Sequence, residues 1–264
     1  MSVTRASLGD QLVAYDDTGG EGPPVILAHG FLMDRTMFRP QIEALTPRFR
    51  VITWDSRSHG DTVDDGTPFT YWDLAADCLG LMDHLGIARA VVGGMSQGGF
   101  VSLRTALLAP DRVRGLLLFD TQAGTEDPEV VPLYQAMLDQ WVAEGPSDQI
   151  ADVVSGLIIG DPALSREWVP RWRARPHASM ARPGQALLTR DDITGRLGEI
   201  DVPALVVHGS ADVSISMDKA VRLAAGLPRG GEVVVIDGGS HSANLTHPEP
   251  VNRAVLDFLE GLPA

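Results

Sequence analysis

The 264-residue sequence has one cysteine, fewer basic than acidic residues and no long hydrophobic run. A single cysteine, Cys78, excludes an internal disulfide and a cysteine-based metal cage. The net charge of −14 disfavours a nucleic-acid partner, because phosphates would be repelled. No stretch approaches membrane-spanning length and no apolar run follows Met1, so we expect no membrane association and, by default, a cytoplasmic protein.

The chain also lacks the motifs that hold metals and nucleotides. Its seven histidines are scattered, without the H-E-x-x-H or a comparable spacing, so no metal site is predicted. The glycine-rich segments lack the G-x-G-x-x-G and Walker forms, which argues against a nucleotide cofactor. The sequence therefore predicts no cofactor. A hydrophobic content of 44% and this length favour one full-sized globular core that can carry an inserted subdomain.

Short β-branched runs alternate with helix-like segments along most of the chain. This alternation predicts an α/β fold of parallel strands joined by helices. Residues 3–8 and 12–16 flank Gly9-Asp10 and predict an antiparallel hairpin. Further strands are predicted near 24–28, 50–54, 89–95, 113–119, 203–208 and 232–237. Helices are predicted near 36–46, 70–86, 97–109, 216–227 and 248–260.

The alternation breaks between Thr121 and Gly195. This stretch has no convincing strand, contains three of the five tryptophans, and has helical patterns near 131–143 and 149–159. We predict that residues 122–195 form a helical cap inserted after the sixth strand. The core would then consist of residues 1–121 and 196–264.

Ser96 is the candidate nucleophile. It lies in Gly94-Met95-Ser96-Gln97-Gly98, directly between an apolar strand-like run and a helix-like segment. A strand that turns sharply into a helix at a serine strains its backbone and exposes its hydroxyl, and nearby side chains must be small to allow the turn. The motif alone is weak evidence for a nucleophile, because it can occur by chance in a glycine-rich chain. Its position between a predicted strand and a predicted helix makes the evidence stronger.

A serine nucleophile needs a base, and the base needs an orienting carboxylate. Asp212 and His241 each follow the end of a predicted buried strand, in the chain order serine, acid, histidine. The carboxyl ends of parallel strands meet at one sheet edge, where ligands bind. We therefore predict a triad of Ser96, Asp212 and His241. Asp120 ends the strand 113–119 at the same edge and competes with Asp212 as the acid.

The strand 24–28 runs into His29-Gly30-Phe31, a candidate oxyanion turn. The backbone N–H groups of Phe31 and Gln97 are the expected oxyanion donors. Gly30 is expected to need unusual backbone angles, and His29 is expected to have a structural hydrogen-bonding role. The predicted substrate-pocket residues are His29, Gly30, Met95, Asp120, Trp141 and Trp172.

These segments together resemble the α/β-hydrolase superfamily, and within it the esterase and lactonase branch that includes the 3-oxoadipate enol-lactonases. The matching segments are residues 29–31, 55–60, 94–98, 209–212 and 239–241. The resemblance implies the α/β-hydrolase fold, a mostly parallel eight-stranded sheet flanked by helices, with an inserted helical cap. Some relatives carry the acid at the position of Asp120, but the commoner pattern favours Asp212. Ser58 stands where the family usually has glycine, which leaves the path of that loop open.

The sequence predicts a cofactor-independent serine hydrolase that cleaves a small carboxylic ester or lactone through an acyl-enzyme. A C–C bond hydrolase of a vinylogous diketone is an alternative that would need a carboxylate-binding cap. The basic residues of the predicted cap could form such a clamp or a solvated surface: Arg171, Arg173, Arg175, His177 and Arg182. A perhydrolase and a non-enzymatic ligand-binding module also stay open, and the oligomeric state is unknown.

Overall fold

A sheet of eight strands forms the centre of the protein, whose computed structural model describes residues 3–263. The strands are β1 (Arg5–Leu8), β2 (Gln11–Asp17), β3 (Pro24–Ala28), β4 (Arg50–Trp54), β5 (Ala90–Met95), β6 (Val113–Phe119), β7 (Ala204–Gly209) and β8 (Val234–Ile236). Their order across the sheet is β1-β2-β4-β3-β5-β6-β7-β8. The hairpin β1–β2 and the pair β2–β4 are antiparallel, and all later pairs in the described chain are parallel. This is the mostly parallel eight-stranded sheet that the sequence predicts.

Ten α-helices accompany the sheet in residues 3–263. They are α1 (Arg39–Leu45), α2 (Tyr71–His84), α3 (Gln97–Leu108), α4 (Val131–Glu144), α5 (Asp148–Ile158), α6 (Pro162–Ala174), α7 (Ala181–Leu188), α8 (Met217–Gly226), α9 (Ala243–Thr246) and α10 (Pro248–Gly261). The helix predicted near 36–46 is divided into a 3₁₀ turn, Arg35–Phe38, and α1. None of the helices in this part of the chain is both long and apolar enough to cross a membrane.

The central strands are buried on both faces, as expected for parallel strands covered by helices. Every residue of β5 and of β7 is buried. Alternate strand residues belong to different cores: Ile26 belongs to the core that contains residues of α2, α3 and α8, and Leu27 belongs to the core that contains residues of α1 and α10. The second core also contains apolar residues from α4, α5 and α6.

Cys78 lies on the buried apolar stripe of α2, as the helical spacing predicts. Its neighbours on that stripe are Tyr71, Leu74, Ala75, Leu81 and Met82. Burial raises the pKa of the Cys78 thiol to about 12. The side chain is therefore a packing residue.

Residues 120–203, between β6 and β7, contain four of the helices, α4 to α7, and no strand among them. We call this segment the insertion. Its three tryptophans, Trp141, Trp168 and Trp172, are buried in the second core. The insertion therefore shares an apolar core with helices α1 and α10. The exact cap bounds at 122 and 195 stay a prediction.

Candidate active site

Ser96 occupies the sharp turn between β5 and α3. Its φ of +51° and ψ of −112° lie outside the region that L-residues ordinarily adopt. The turn is held because the Ser96 N–H donates to the carbonyl of Phe119 at 2.9 Å and the Ser96 carbonyl accepts from Thr121 Oγ1 at 2.7 Å. A Cβ at Gly98 would collide with the carbonyl oxygen of Ala28. The close approach of α3 to β3 therefore requires glycine at position 98.

Asp212 and His241 are joined by a hydrogen bond. His241 Nδ1 lies 2.8 Å from Asp212 Oδ2, while Asp212 Oδ1 accepts the N–H groups of Ser214 and Ile215 at 2.8 and 2.9 Å. Burial raises the pKa of Asp212, but the neighbouring His241 and these hydrogen bonds outweigh it, so the net pKa is below its ordinary value. The carboxylate is thus ionised at neutral pH. It binds the imidazole through Nδ1 and leaves Nε2 free to accept a proton.

Ser96 and His241 line the same cavity. Both side chains are mostly buried, with 8% and 5% of each residue exposed. Among the described residues, no hydrogen bond joins Ser96 Oγ to His241, so this contact is looser than the one between His241 and Asp212. Contacts of this kind often tighten only when substrate binds.

Asp120 bridges the two loops that carry Asp212 and His241. Its Oδ1 accepts the N–H of Gly209 at 2.8 Å and its Oδ2 accepts the N–H of Ala243 at 3.2 Å. The residue is fully buried with φ at +45°, and burial together with the charge of Asp212 raises its pKa well above the ordinary value. Asp120 does not line the cavity, and His241 bonds to Asp212 instead.

One group of described residues brings three possible metal ligands together. Asp120, His208 and Asp212 each offer an atom within 4.8 Å of the others. His208 Nε2 bonds to the carbonyl of Ile215 at 2.8 Å, and both oxygens of Asp212 already accept hydrogen bonds. Hydrogen bonding within the triad loops therefore accounts for the positions of Asp212 and of the His208 ring.

The loop after β3 presents the backbone of Phe31 to the site. Within the described chain, the N–H of Phe31 donates to no protein acceptor. Gln97 is the first residue of α3, and no helix carbonyl can accept its N–H. Gly30 was expected to need unusual backbone angles; it has no positive φ, whereas Leu32 has one, at +62°. A Cβ at Gly30 would strike Met95 Sδ, so the Met95 side chain would have to shift.

Two neighbouring histidines, His29 and His59, support this loop with hydrogen bonds. His29 Nδ1 bonds to the Gly30 carbonyl at 2.8 Å, and His29 Nε2 accepts the Ser56 N–H at 3.0 Å. His59 Nε2 accepts the Leu32 N–H at 3.3 Å, and the two rings lie 4.9 Å apart. Burial lowers the pKa of both histidines, so both are neutral in fixed tautomers.

Ser58 adopts a left-handed conformation with φ at +61°, which glycine adopts without strain. Its hydroxyl donates to Asp64 Oδ2 at 2.6 Å and accepts from Arg182 Nη2 at 3.2 Å. The serine therefore ties the 55–60 loop to the insertion, a contact that glycine could not make.

The cavity in front of Ser96 has a volume of about 140 Å³ and a mainly apolar wall. The insertion supplies this wall through three helices, each with residues at i, i+3 and i+4. These residues are Tyr134, Met137 and Leu138 of α4, Val154, Leu157 and Ile158 of α5, and Gly184, Leu187 and Leu188 of α7. Such spacing places each set on one helix face. The spacing was present in the sequence, but only the packing shows which face meets the cavity.

The predicted pocket residues divide into two groups. Met95 and Trp141 line the cavity, whereas His29, Gly30, Asp120 and Trp172 do not. Trp172 packs behind Trp141 with ring centroids 6.0 Å apart. Residues that the sequence did not single out also line it: Leu32, Glu126, Ser214 and Ile215. They lie in loops, which have no hydrophobic periodicity to reveal them.

The arginines of the predicted cap are paired with acids. Arg175 Nη2 lies 3.4 Å from Asp34 Oδ2, and Arg182 Nη2 lies 2.9 Å from Asp64 Oδ1. Each of these pairs joins the insertion to a loop of the core. Arg171 reaches the core similarly, since its Nη1 donates to Thr36 Oγ1 at 2.9 Å.

Arg173 instead pairs with Asp148 of α5, at 2.5 Å, and His177 is exposed. None of these basic residues lines the cavity in the described chain. The basic residues of the predicted cap therefore form neither a purely solvated surface nor a clamp for an anionic substrate. Most of them fasten the insertion to the core.

Comparison with known proteins agrees with this geometry. A protein of Caulobacter vibrioides named, provisionally, as the carbamate hydrolase RutD is 32% identical over 90% of each chain. The structure of a thermophilic esterase from Thermogutta terrifontis is 31% identical, with a TM-score of 0.87 over 98% of this chain and 97% of that one. An enol-lactonase from Burkholderia xenovorans LB400 is 28% identical, with a TM-score of 0.88 over 97% and 99%. The family model of the α/β-hydrolase fold matches residues 23–248, and the chain therefore belongs to the α/β-hydrolase family.

Proposed function

We propose that this hydrolase cleaves neutral carboxylic esters or lactones through an acyl-enzyme on Ser96. The observation that carries the proposal is that Ser96 and His241 face one apolar cavity while Asp212 holds His241 from behind. The esterase and enol-lactonase among the similar structures support the same class of substrate. The insertion would act as the cap that surrounds the acyl group.

In this mechanism His241 Nε2 removes the proton of Ser96 Oγ as the oxygen attacks the substrate carbonyl. Asp212 fixes the imidazole tautomer and stabilises the imidazolium that forms. The N–H groups of Phe31 and Gln97 bind the developing oxyanion. His241 then protonates the leaving oxygen and afterwards activates the water that hydrolyses the acyl-enzyme.

Two features bear on the competing functions. A hydrolase of a vinylogous diketone with a carboxylate would need a cationic clamp, and the arginines of the insertion are paired with acids instead.

A carbamate is the second candidate substrate, because several curated relatives at 30–32% identity carry that provisional name. A carbamate carbonyl would use the same nucleophile and oxyanion donors. Perhydrolase activity would appear as hydrogen-peroxide-dependent bromination, and a non-enzymatic binding role would appear as an absence of both turnover and labelling.

The test is a turnover screen of p-nitrophenyl esters of graded acyl length, beside lactones and carbamates. Ser96→Ala should lower kcat by several orders of magnitude, because the covalent step is lost. A serine-directed fluorophosphonate should add one label to the native protein at Ser96 and none to the variant. Ser7→Ala, in exposed β1, serves as the control. Unchanged hydrolysis in Ser96→Ala would refute the proposal, as would an absence of turnover and label in the native chain.

The cytoplasmic location stays a prediction that cell fractionation would test.

A further inference from the structure

Glu126 brings a carboxylate to a cavity that is otherwise nearly apolar. It is the one carboxylate among the described residues that line the cavity. Its side chain is 11% exposed and follows β6 in the segment that leads into α4. Oε1 accepts a hydrogen bond from Arg190 Nη2 at 2.9 Å, and the two side chains form an ion pair.

Arg190 itself is out of reach of a substrate. Its side chain is 1% exposed, and it donates to the carbonyls of Gly124 at 3.0 Å and Leu187 at 2.8 Å. The guanidinium also lies over the ring of Phe100, 4.4 Å from the ring centroid. These contacts occupy the cation, and Arg190 does not line the cavity. A carboxylate substrate would therefore meet the acid of this ion pair, and not the base.

Tyr134 lines the same cavity from the first turn of α4. Within the described chain its hydroxyl makes no hydrogen bond to another residue. Burial raises the pKa of Tyr134, and the charges of Glu126, Asp127 and Asp212 raise it further, so the hydroxyl is protonated at neutral pH. Glu126 and Tyr134 thus provide an acceptor and a hydroxyl within an apolar wall.

We propose that Glu126, with Tyr134, selects substrates that are neutral or cationic and carry a hydrogen-bond donor remote from the scissile carbonyl. This rests on the proposed ester hydrolysis at Ser96. A hydroxyl or ammonium group could donate to the Glu126 carboxylate, whereas an anionic group would be repelled and would lose its hydration without compensation. Repulsion of the wrong substrate contributes to specificity as much as attraction of the right one.

The experiment compares p-nitrophenyl esters that differ only at the far end of the acyl chain. The ends are methyl, hydroxyl, dimethylammonium and carboxylate, each at several chain lengths. In the native enzyme, kcat/KM for the carboxylate should lie at least about tenfold below that for methyl, a difference of about 1.4 kcal/mol in transition-state stabilisation. At one chain length or more, the hydroxyl or ammonium ester should equal or exceed the methyl ester.

Glu126→Gln keeps an oxygen for Arg190 and should reduce the discrimination against carboxylate to about threefold or less. Tyr134→Phe should lower the ratio of kcat/KM for the hydroxyl ester to kcat/KM for the methyl ester. Glu129→Gln, an exposed neighbour outside the cavity, is the matched control and should match the native enzyme.

An active enzyme that hydrolyses all four ends equally would overturn the proposal. So would discrimination that survives unchanged in both Glu126→Gln and Tyr134→Phe. If Glu126→Gln does not fold, the native series and Tyr134→Phe decide the matter. Failure of the underlying function has a different signature, because no ester would then be hydrolysed and Ser96 would not be labelled.

Discussion

The backbone N–H of Leu32 donates a hydrogen bond to Nε2 of His59, 27 positions along the chain and 3.3 Å away. Leu32 directly follows Phe31, the proposed oxyanion donor, and adopts a left-handed conformation that costs a non-glycine residue about 1–2 kcal/mol. His59 Nδ1 lies 3.0 Å from the carbonyl of Arg57, which fixes the proton on Nδ1 and leaves Nε2 as an acceptor. The neutral imidazole therefore helps to hold the loop in its strained shape.

Replacing His59 should therefore impair catalysis, although His59 itself would not contact the substrate. In His59→Leu, the Leu32 N–H loses its acceptor and the Phe31 N–H is no longer held in place. We expect kcat to fall by about ten- to hundredfold, less than for outright removal of an oxyanion donor, with KM nearly unchanged. His59→Gln offers an amide oxygen and should recover most of the loss. Equal kcat values in the Leu variant and the native enzyme, by steady-state kinetics on one ester, would show that the bond is dispensable.

The stability of the protein should fall as the solution is acidified below about pH 6.5. Burial lowers the pKa of His29, His59 and His208 in the folded chain, so below that pH the unfolded chain binds more protons. Each histidine can remove up to about 1.4 kcal/mol of unfolding free energy per pH unit. Asp120 acts oppositely, because its raised pKa favours the folded state in acid, and it offsets part of the loss.

Urea unfolding followed by circular dichroism at pH 5, 6 and 7 would measure this dependence. The native protein should have its highest midpoint at pH 7. His59→Gln has one titrating group fewer and should show a shallower decline. A midpoint that rises on acidification would mean that Asp120 outweighs the three histidines.

Asp212→Asn and Asp120→Asn should distinguish the proposed triad acid from the carboxyl group that supports the neighbouring loops. Asp212→Asn places an amide beside His241 Nδ1 and favours the wrong imidazole tautomer, so kcat should fall on the order of 10⁴-fold, as it does for the analogous change in a serine protease. Asp120→Asn cannot accept both the Gly209 and the Ala243 N–H, and should cost about 1–3 kcal/mol of stability with a smaller loss in kcat. A reversed order of the two kcat values would assign Asp120 as the acid.

The cap arginines should affect all substrates alike. Arg182→Ala removes the contacts to Asp64 and Ser58 that fasten the insertion, and should lower kcat/KM for neutral and anionic esters by the same factor, about two- to fivefold. Arg173→Ala breaks an exposed pair within the insertion and should have no effect. A selective loss on anionic esters in Arg182→Ala would instead indicate a carboxylate clamp.

Local patterns in the sequence predicted the strands and the residues at their ends. Ser96, Asp212 and His241 follow strands whose apolar runs are unmistakable, and parallel pairing brings such positions to one edge. The partners of Arg175 and Arg182 lie more than 100 positions away, so no local pattern could reveal them. Arg57 likewise pairs with Asp77 of α2, a partner that its own loop does not indicate.

Backbone conformation and loop placement were equally hidden from the sequence. Ser58 and Leu32 take left-handed angles without being glycine, because side-chain hydrogen bonds from distant residues support them. Glu126 lies in a connecting segment, whose course depends on where α4 packs. Its place in the cavity wall follows from tertiary structure alone.

The single buried thiol of Cys78 makes the motion of the insertion accessible to spectroscopy. With a pKa of about 12 and almost no exposure, it should remain unreactive toward maleimides at neutral pH. A cysteine introduced at exposed Leu133 on α4, and a second at exposed Val221 on α8, could then carry a fluorophore pair without background labelling. The distance between the dyes would show whether the helices above Ser96 separate to admit each ester.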